Sequence, residues 1–150
     1  MALKLIIDTD PGIDDAMAIL YAIAAPEIDL LGLTTVFGNV TTPKATRNAL
    51  YLLEQAGIEI PVAEGLHRPR ILPPFPPTSA VHGAEGFGTL AVPTPQRRAL
   101  VETAPEYLVR MARAHQGELL LCPIGPLTNI AAAMELDPFF CSNLKGMVVI

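Results

Sequence analysis

Short apolar runs alternate with stretches of helical spacing through the first 63 residues, and this alternation restricts the fold more than any other feature. Leu3–Ile7 is a buried-strand run ending at Asp8. Asp14–Ala25 has helical spacing, with Met17, Leu20, Tyr21 and Ala24 on one face and Pro26 stopping it. Ile28–Phe37 is again apolar and β-branched, and Gly38-Asn39 closes it. Pro43–Ala56 reads as a second helix, with Thr42 as its cap and Gly57 as its terminator. Ile58–Ala63 is a third strand. Strand–helix–strand–helix–strand predicts an α/β fold, an open and mainly parallel sheet with helices on both faces. The pattern resumes with a helix over Pro105–His115, a strand over Glu118–Cys122, a helix over Pro126–Leu136 and an apolar strand in Leu144–Ile150. The last strand has no loop or cap after it, so the 150 residues read as the amino-terminal half of a larger domain, cut within its fifth strand.

Between Pro61 and Pro95 the periodicity stops, and eight of the fifteen prolines fall there, including Pro73-Pro74-Phe75-Pro76-Pro77. A loop of this length inside a compact domain marks an active-site excursion, with a disordered linker as the alternative. Hydrophobic residues make up 51% and charged residues 17%, which excludes a disordered chain. No apolar run is long enough to span a membrane. Cys122 and Cys141 form no disulfide framework and point to a reducing cytoplasm. Ten basic residues against fifteen acidic ones leave −5, which argues against a nucleic-acid partner held by phosphate contacts.

That charge is local. Asp8, Asp10, Asp14 and Asp15 are four of six aspartates, and without them the balance is ten against eleven. They lie in Asp8-Thr9-Asp10-Pro11-Gly12-Ile13-Asp14-Asp15, where a strand gives way to a helix. In an open parallel sheet, ligands bind beyond the carboxyl ends of the strands. Four carboxylates there require a cation, protons or full solvation to offset their repulsion. Oxygen-only ligands favour a hard cation, calcium or magnesium. Helix capping by Asp14 and a favourable dipole contact for Asp15 explain two of the four, but not Asp8 and Asp10. The EF-hand loop fails, because Ile13 and Ile19, or Asp15 and Tyr21, stand where it wants Gly and Glu. A magnesium-dependent phosphatase or phosphotransferase of the haloacid-dehalogenase type would use the Asp8-x-Asp10 pair, but Gly12 stands where it carries Thr or Val.

The stretch Asp8 to Ile19 resembles the amino-terminal signature of the inosine-uridine-preferring nucleoside hydrolases. Phe37-Gly38-Asn39-Val40 resembles that family's second-strand loop. His82-Gly83-Ala84-Glu85-Gly86 resembles its His-Gly-x-Asp-Gly, with Glu85 in place of Asp. Gly125-Pro126-Leu127-Thr128-Asn129-Ile130-Ala131 resembles its fourth-strand loop. The resemblance covers the whole chain, and family members are about twice as long. It implies a nucleoside-hydrolase-like fold with a Rossmann-like core and hydrolysis of the N-glycosidic bond of ribonucleosides, giving ribose and a free base for purine and pyrimidine salvage. It implies one calcium ion on Asp10, Asp15 and the main-chain carbonyl of Ile124, with Asp10 the general base. Asp14 and Asn39 would bind the ribose hydroxyls, and His82 would sit near the base. Asp8 would support the metal site from behind. Asn129, with Thr128, would orient the Ile124 carbonyl or cap a helix. A further aspartate ligand and a His-Asp pair belong to the family's carboxyl-terminal half. The partner implied is a small-molecule ribonucleoside, bound by a homodimer or homotetramer. A metal- or ribose-binding fragment without turnover is the non-enzymatic alternative.

Overall fold

The structure, a computed structural model, describes residues 2–150. Five parallel strands form one sheet in the order β3-β2-β1-β4-β5: β1 Leu3–Thr9, β2 Ile28–Thr35, β3 Val62–Glu64, β4 Leu120–Pro123 and β5 Gly146–Met147. The chain steps outward from β1 to β3, then returns to the other side of β1 for β4 and β5. The strand order therefore reverses between β1 and β4, which makes their carboxyl ends the switch point of a doubly wound sheet.

Alternation along β1 separates two cores. Leu5 and Ile7 face helices α1 (Ile13–Ala24) and α2 (Thr42–Ala56), and pack with Ile19, Ala22, Leu33 and Leu53. Ile6 faces the opposite layer of α4 (Ala104–Ala114), α5 (Thr128–Leu136) and α6 (Phe140–Asn143), and packs with Tyr107, Leu108, Leu121 and Phe140. The remaining helix, α3, is the single turn Ser79–His82. Side-chain alternation with period two explains why one strand can feed two cores.

Several sequence expectations shift. Met17 and Tyr21 are 70% and 68% exposed; the buried face of α1 is Asp15, Ile19 and Ala22. Three hydrogen bonds to the Asp15 carboxylate fix the rotation of the helix, so its larger apolar stripe turns outward. Thr41, not Thr42, occupies the cap position of α2, and Thr42 Oγ1 instead donates to the Leu66 carbonyl at 2.8 Å. Gly57 ends α2 in the left-handed conformation (φ 66°), as expected. The third strand is shorter than Ile58–Ala63: its ladder with β2 covers Val62–Glu64, while the Arg97 guanidinium takes the Ile58 and Ile60 carbonyls on the open edge of the sheet. Arg97 and Arg98, a pair whose sequence reads as solvated charge at the opening of a helix, lie outside every helix. Thr103 and Glu106 form a capping box at the start of α4, one residue before the expected helix.

The proline-rich stretch packs back onto the carboxyl end of the sheet. Phe75 meets the buried ring of Phe37 edge-on at 5.4 Å, and Thr78 Oγ1 donates to Asn39 Oδ1 at 3.0 Å. Two anchors three residues apart hold the excursion beside the loop that follows β2.

Candidate active site

The end of β1 carries Asp8 and Thr9; Asp10-Pro11-Gly12 turns the chain, and α1 begins at Ile13. Asp8 and Thr9 pair with Thr34 and Thr35 of β2, and Asp8 also pairs with Pro123 of β4. The cluster therefore sits at the switch point.

Each aspartate has a distinct environment. Asp8 is wholly buried. Its Oδ1 accepts from Thr34 Oγ1 at 2.5 Å and Asn129 Nδ2 at 2.8 Å, while its Oδ2 has no hydrogen-bond partner among the described residues. Burial pushes the Asp8 carboxyl up to about 6 against these two hydrogen bonds. Asp10 is also buried, and burial pushes its carboxyl up to about 7; the neighbouring charges of Asp15 and Asp8 add to the rise, and the Asn39 N–H, donating to Oδ2 at 2.6 Å, opposes it. Asp15 accepts from Thr9 Oγ1 (2.7 Å), Gly12 N–H (3.1 Å) and Asn39 Nδ2 (3.0 Å). The helix-start contact thus belongs to Asp15, not to Asp14. Asp14 is exposed, and its carboxylate lies 3.7 Å from His82 Nδ1.

Two glycines admit the Asp10 carboxylate. A methyl group on Gly38 would overlap Asp10 Oδ2, and one on Gly125 would stand 2.7 Å from Oδ1. The Ile124–Gly125 main chain therefore runs beside Asp10, and the Ile124 and Gly125 N–H groups both donate to the Asp8 carbonyl. Asn39 joins Asp10 and Asp15 through its backbone and side chain, and Thr78 holds its amide oxygen. His82, buried, comes from α3: its Nδ1 accepts the Ile13 N–H at 3.3 Å, which leaves the proton of a neutral ring on Nε2. The structure thus brings Asp8, Asp10, Asp14, Asp15, Asn39, His82 and Ile124 to one end of the sheet.

Asn129 neither caps α5 nor has Ile124 among its hydrogen-bond partners. Wholly buried, it donates to Asp8 Oδ1 and the Thr35 carbonyl, and accepts from Leu66 N–H. It joins the ends of β1 and β2 to the chain leaving β3. Sequence reasoning missed Thr9, Thr34, Thr78 and Asn48, which hydrogen-bond the cluster or its turn. Polar residues at a strand end or on a helix face that faces inward were the available signal.

Among the described residues no Lys or Arg forms an ion pair with Asp8, Asp10 or Asp15. Nor do three His, Cys, Asp or Glu side chains close on one point. The two adjoining carboxylates of Asp10 and Asp15, with the Ile124–Gly125 main chain alongside, form an oxygen donor set that no basic side chain among the described residues neutralises. That set fits a hard divalent cation. It does not fit a phosphotransferase nucleophile on Asp8, whose carboxylate is sealed behind Thr34 and Asn129. A cleft of about 440 Å³ lies elsewhere, lined by Lys4, Asp29, Glu118 and Lys145 at the opposite end of the strands.

Known proteins resemble this chain in sequence and in fold. The chain is 49% identical over 155 residues to a probable uridine nucleosidase 2 of Arabidopsis thaliana, covering 98% of this chain and 46% of that one. It is 40% identical over 152 residues to the inosine-uridine preferring nucleoside hydrolase of Crithidia fasciculata, covering 99% and 48%. The solved structure of a plant nucleoside hydrolase superposes with a TM-score of 0.95 at 45% identity, covering 99% and 48%. A purine-preferring ribonucleoside hydrolase from Gardnerella vaginalis superposes with a TM-score of 0.93 at 34% identity, covering 98% and 48%. The chain thus spans about half the length of these relatives. The inosine-uridine preferring nucleoside hydrolase model matches residues 5–150, and with an α/β sheet of the same build this chain belongs to that family.

Proposed function

We propose that these 150 residues form the amino-terminal half of a catalytic domain that hydrolyses the N-glycosidic bond of ribonucleosides, releasing ribose and a free base. The observation that carries this reading is the Asp10 carboxylate, buried at the switch point beside Asp15 with no basic side chain among the described residues paired to it. Relatives named as uridine nucleosidases and ribonucleoside hydrolases support it.

Asp10, Asp15 and the Ile124 carbonyl would hold a calcium ion. When bound, such a cation supplies positive charge that lowers the pKa of water and of the Asp10 carboxyl and orients a ribose diol. Asp10, with Oδ2 fixed by the Asn39 N–H, takes the proton of the attacking water. The water oxygen bonds to the anomeric carbon while the carbon–nitrogen bond breaks through an oxocarbenium-like transition state. The electron pair of that bond leaves with the base, which takes up a proton. Asp14, exposed at the rim, and the half-buried Asn39 bind the ribose hydroxyls. His82 faces the base. Asp8, hydrogen-bonded through Asn129 and Thr34, keeps the floor of the site in place. The same reading carries a cytoplasmic location, from two free cysteines, and a homo-oligomer, from the family resemblance.

The test supplies uridine, inosine or p-nitrophenyl riboside with calcium or magnesium, and p-nitrophenyl phosphate as the rival substrate. Release of reducing sugar that depends on calcium is the expected result. Phosphate release instead would overturn the reading. Calcium and ribose binding without turnover would make the chain a binding fragment.

A further inference from the structure

Helix α2 presents a polar ridge to the site that the chemistry above leaves unused. Asn48, wholly buried in that helix, has all its hydrogen-bonding capacity filled. Its Nδ2 donates to the Pro11 carbonyl at 3.1 Å and to the Glu85 carbonyl at 2.8 Å. Its Oδ1 accepts from Arg47 Nε at 3.2 Å and Nη2 at 2.9 Å. One amide therefore joins the turn that carries Asp10 to the loop that carries His82, residues 37 positions apart in sequence from Asn48 on either side.

The loop is tight against that turn. Gly86 has a φ of +93°, and a methyl group there would stand 2.6 Å from Asn48 Nδ2 and 2.8 Å from the Pro11 carbonyl. A methyl group on Gly12 would stand 2.6 Å from His82 Nδ1. Both ends of the segment 82–86 thus seat on Pro11-Gly12. Hydrogen bonds from Gly88 N–H to the His82 carbonyl and from Gly86 N–H to the Gly83 carbonyl close it into a compact ring. On the outer side, Lys44 and Arg47 hold the Glu85 carboxylate at 2.9 and 2.6 Å, and Lys44 also donates to the Ala84 carbonyl.

We infer that Asn48 is a positioning residue: it sets the distance between the His82 loop and the Asp10–Gly12 turn, and so holds His82 Nδ1 on the Ile13 N–H with its Nε2–H free for the ligand. A second donor hydrogen is required for this, because both the Pro11 and Glu85 carbonyls accept from Nδ2; Asp in its place donates to neither. The inference rests on the nucleoside-hydrolase reading for what His82 meets, but not for where His82 is held.

The experiment compares Asn48→Asp, Gly86→Ala and Glu85→Gln with the unaltered chain. It measures the ¹⁵N shifts of the His82 ring, the calcium dissociation constant by calorimetry, and KM and kcat with uridine. Asn48→Asp and Gly86→Ala should each move the His82 Nδ1 resonance away from the value of a hydrogen-bonded acceptor. Calcium affinity should stay within about twofold, and KM should rise at least fivefold, more than kcat falls. Glu85→Gln, which loosens only the outer tie, should give the same signature at reduced size. Unchanged His82 shifts in a folded Asn48→Asp or Gly86→Ala chain would overturn the inference, and so would a loss of calcium affinity matching any loss of turnover. Should Asn48→Asp fail to fold, Gly86→Ala decides. Absence of uridine hydrolysis by the unaltered chain would strike the functional reading alone, because the His82 shifts decide the positioning role without substrate.

Discussion

Two buried carboxylates, Asp8 and Asp10, make the metal-free fold pH-sensitive. Both pKa values are raised above the unfolded value of 3.8, to about 6 and about 7. The fold therefore favours the protonated forms. Their contribution to stability is complete below about pH 4 and is lost as pH rises through 6 and 7. Each pKa unit corresponds to about 1.4 kcal/mol, so the loss is on the order of several kcal/mol. In chelator, the melting temperature should fall between pH 5 and pH 8; a flat or rising profile would contradict the burial of these charges. Asp10→Asn removes one of them without changing shape. At pH 8 in chelator that variant should melt higher than the parent, while calcium-supported riboside hydrolysis drops by about 10²–10⁴-fold, the usual worth of a general base. Asn129→Leu makes the opposite case. It leaves the Thr35 carbonyl and the Leu66 N–H without partners and strips one donor from Asp8. Denaturant titration should show a loss of about 2–4 kcal/mol, beyond what one surface hydrogen bond is worth. The identities of these residues were legible in the sequence as a cluster and as motifs. Their separate environments were not, because which carboxylate is buried depends on strands that come from distant parts of the chain.

Helix and strand placement followed from periodicity where propensity and packing agree. α2 is such a case: Gly57 has left-handed backbone at its end, and Gly57→Ala should cost about 1 kcal/mol by chemical denaturation, with no change in calcium binding. α1 is the contrary case. Its larger apolar residues, Met17, Leu20 and Tyr21, predict a buried stripe that the structure turns to solvent. Ile19 and Ala22 suffice for the contact with Leu5, Ile7 and Leu53, and the hydrogen bonds of Asp15 to Thr9, Gly12 and Asn39 dictate the rotation. A hydrophobic stripe states which faces can be buried; it does not rank them when a polar anchor at the helix start is worth more. β3 shows the same limit at a strand. Ile58–Ile60 has the composition of a strand, yet pairing with β2 begins only at Val62, and Arg97 covers the edge-facing carbonyls of Ile58 and Ile60 from a loop that periodicity leaves blank.

For the whole molecule the consequence is a site made of loops on one edge of the sheet. β1, β2 and β4 each end in a loop that reaches it, and the 61–95 excursion brings His82 and Thr78 over the top. A cation that binds only the folded site should stabilise the chain by mass action. Calcium at neutral pH should raise the melting temperature and flatten its pH dependence, with magnesium weaker; no shift with either ion would remove Asp10 and Asp15 as a metal pair. The sequence by itself determined the α/β class, because the exchange of period-two and period-3.6 patterns admits few other arrangements. It also determined where the acidic cluster lies, because chain order and strand direction put Asp8–Asp15 at a carboxyl end. The tertiary structure alone decided that β4 lies beside β1, on the side away from β2. That adjacency creates the switch point, buries Asp8 and sets the Ile124–Gly125 peptide against Asp10. Such pairings join residues more than a hundred positions apart, and no local periodicity encodes which strand becomes whose neighbour.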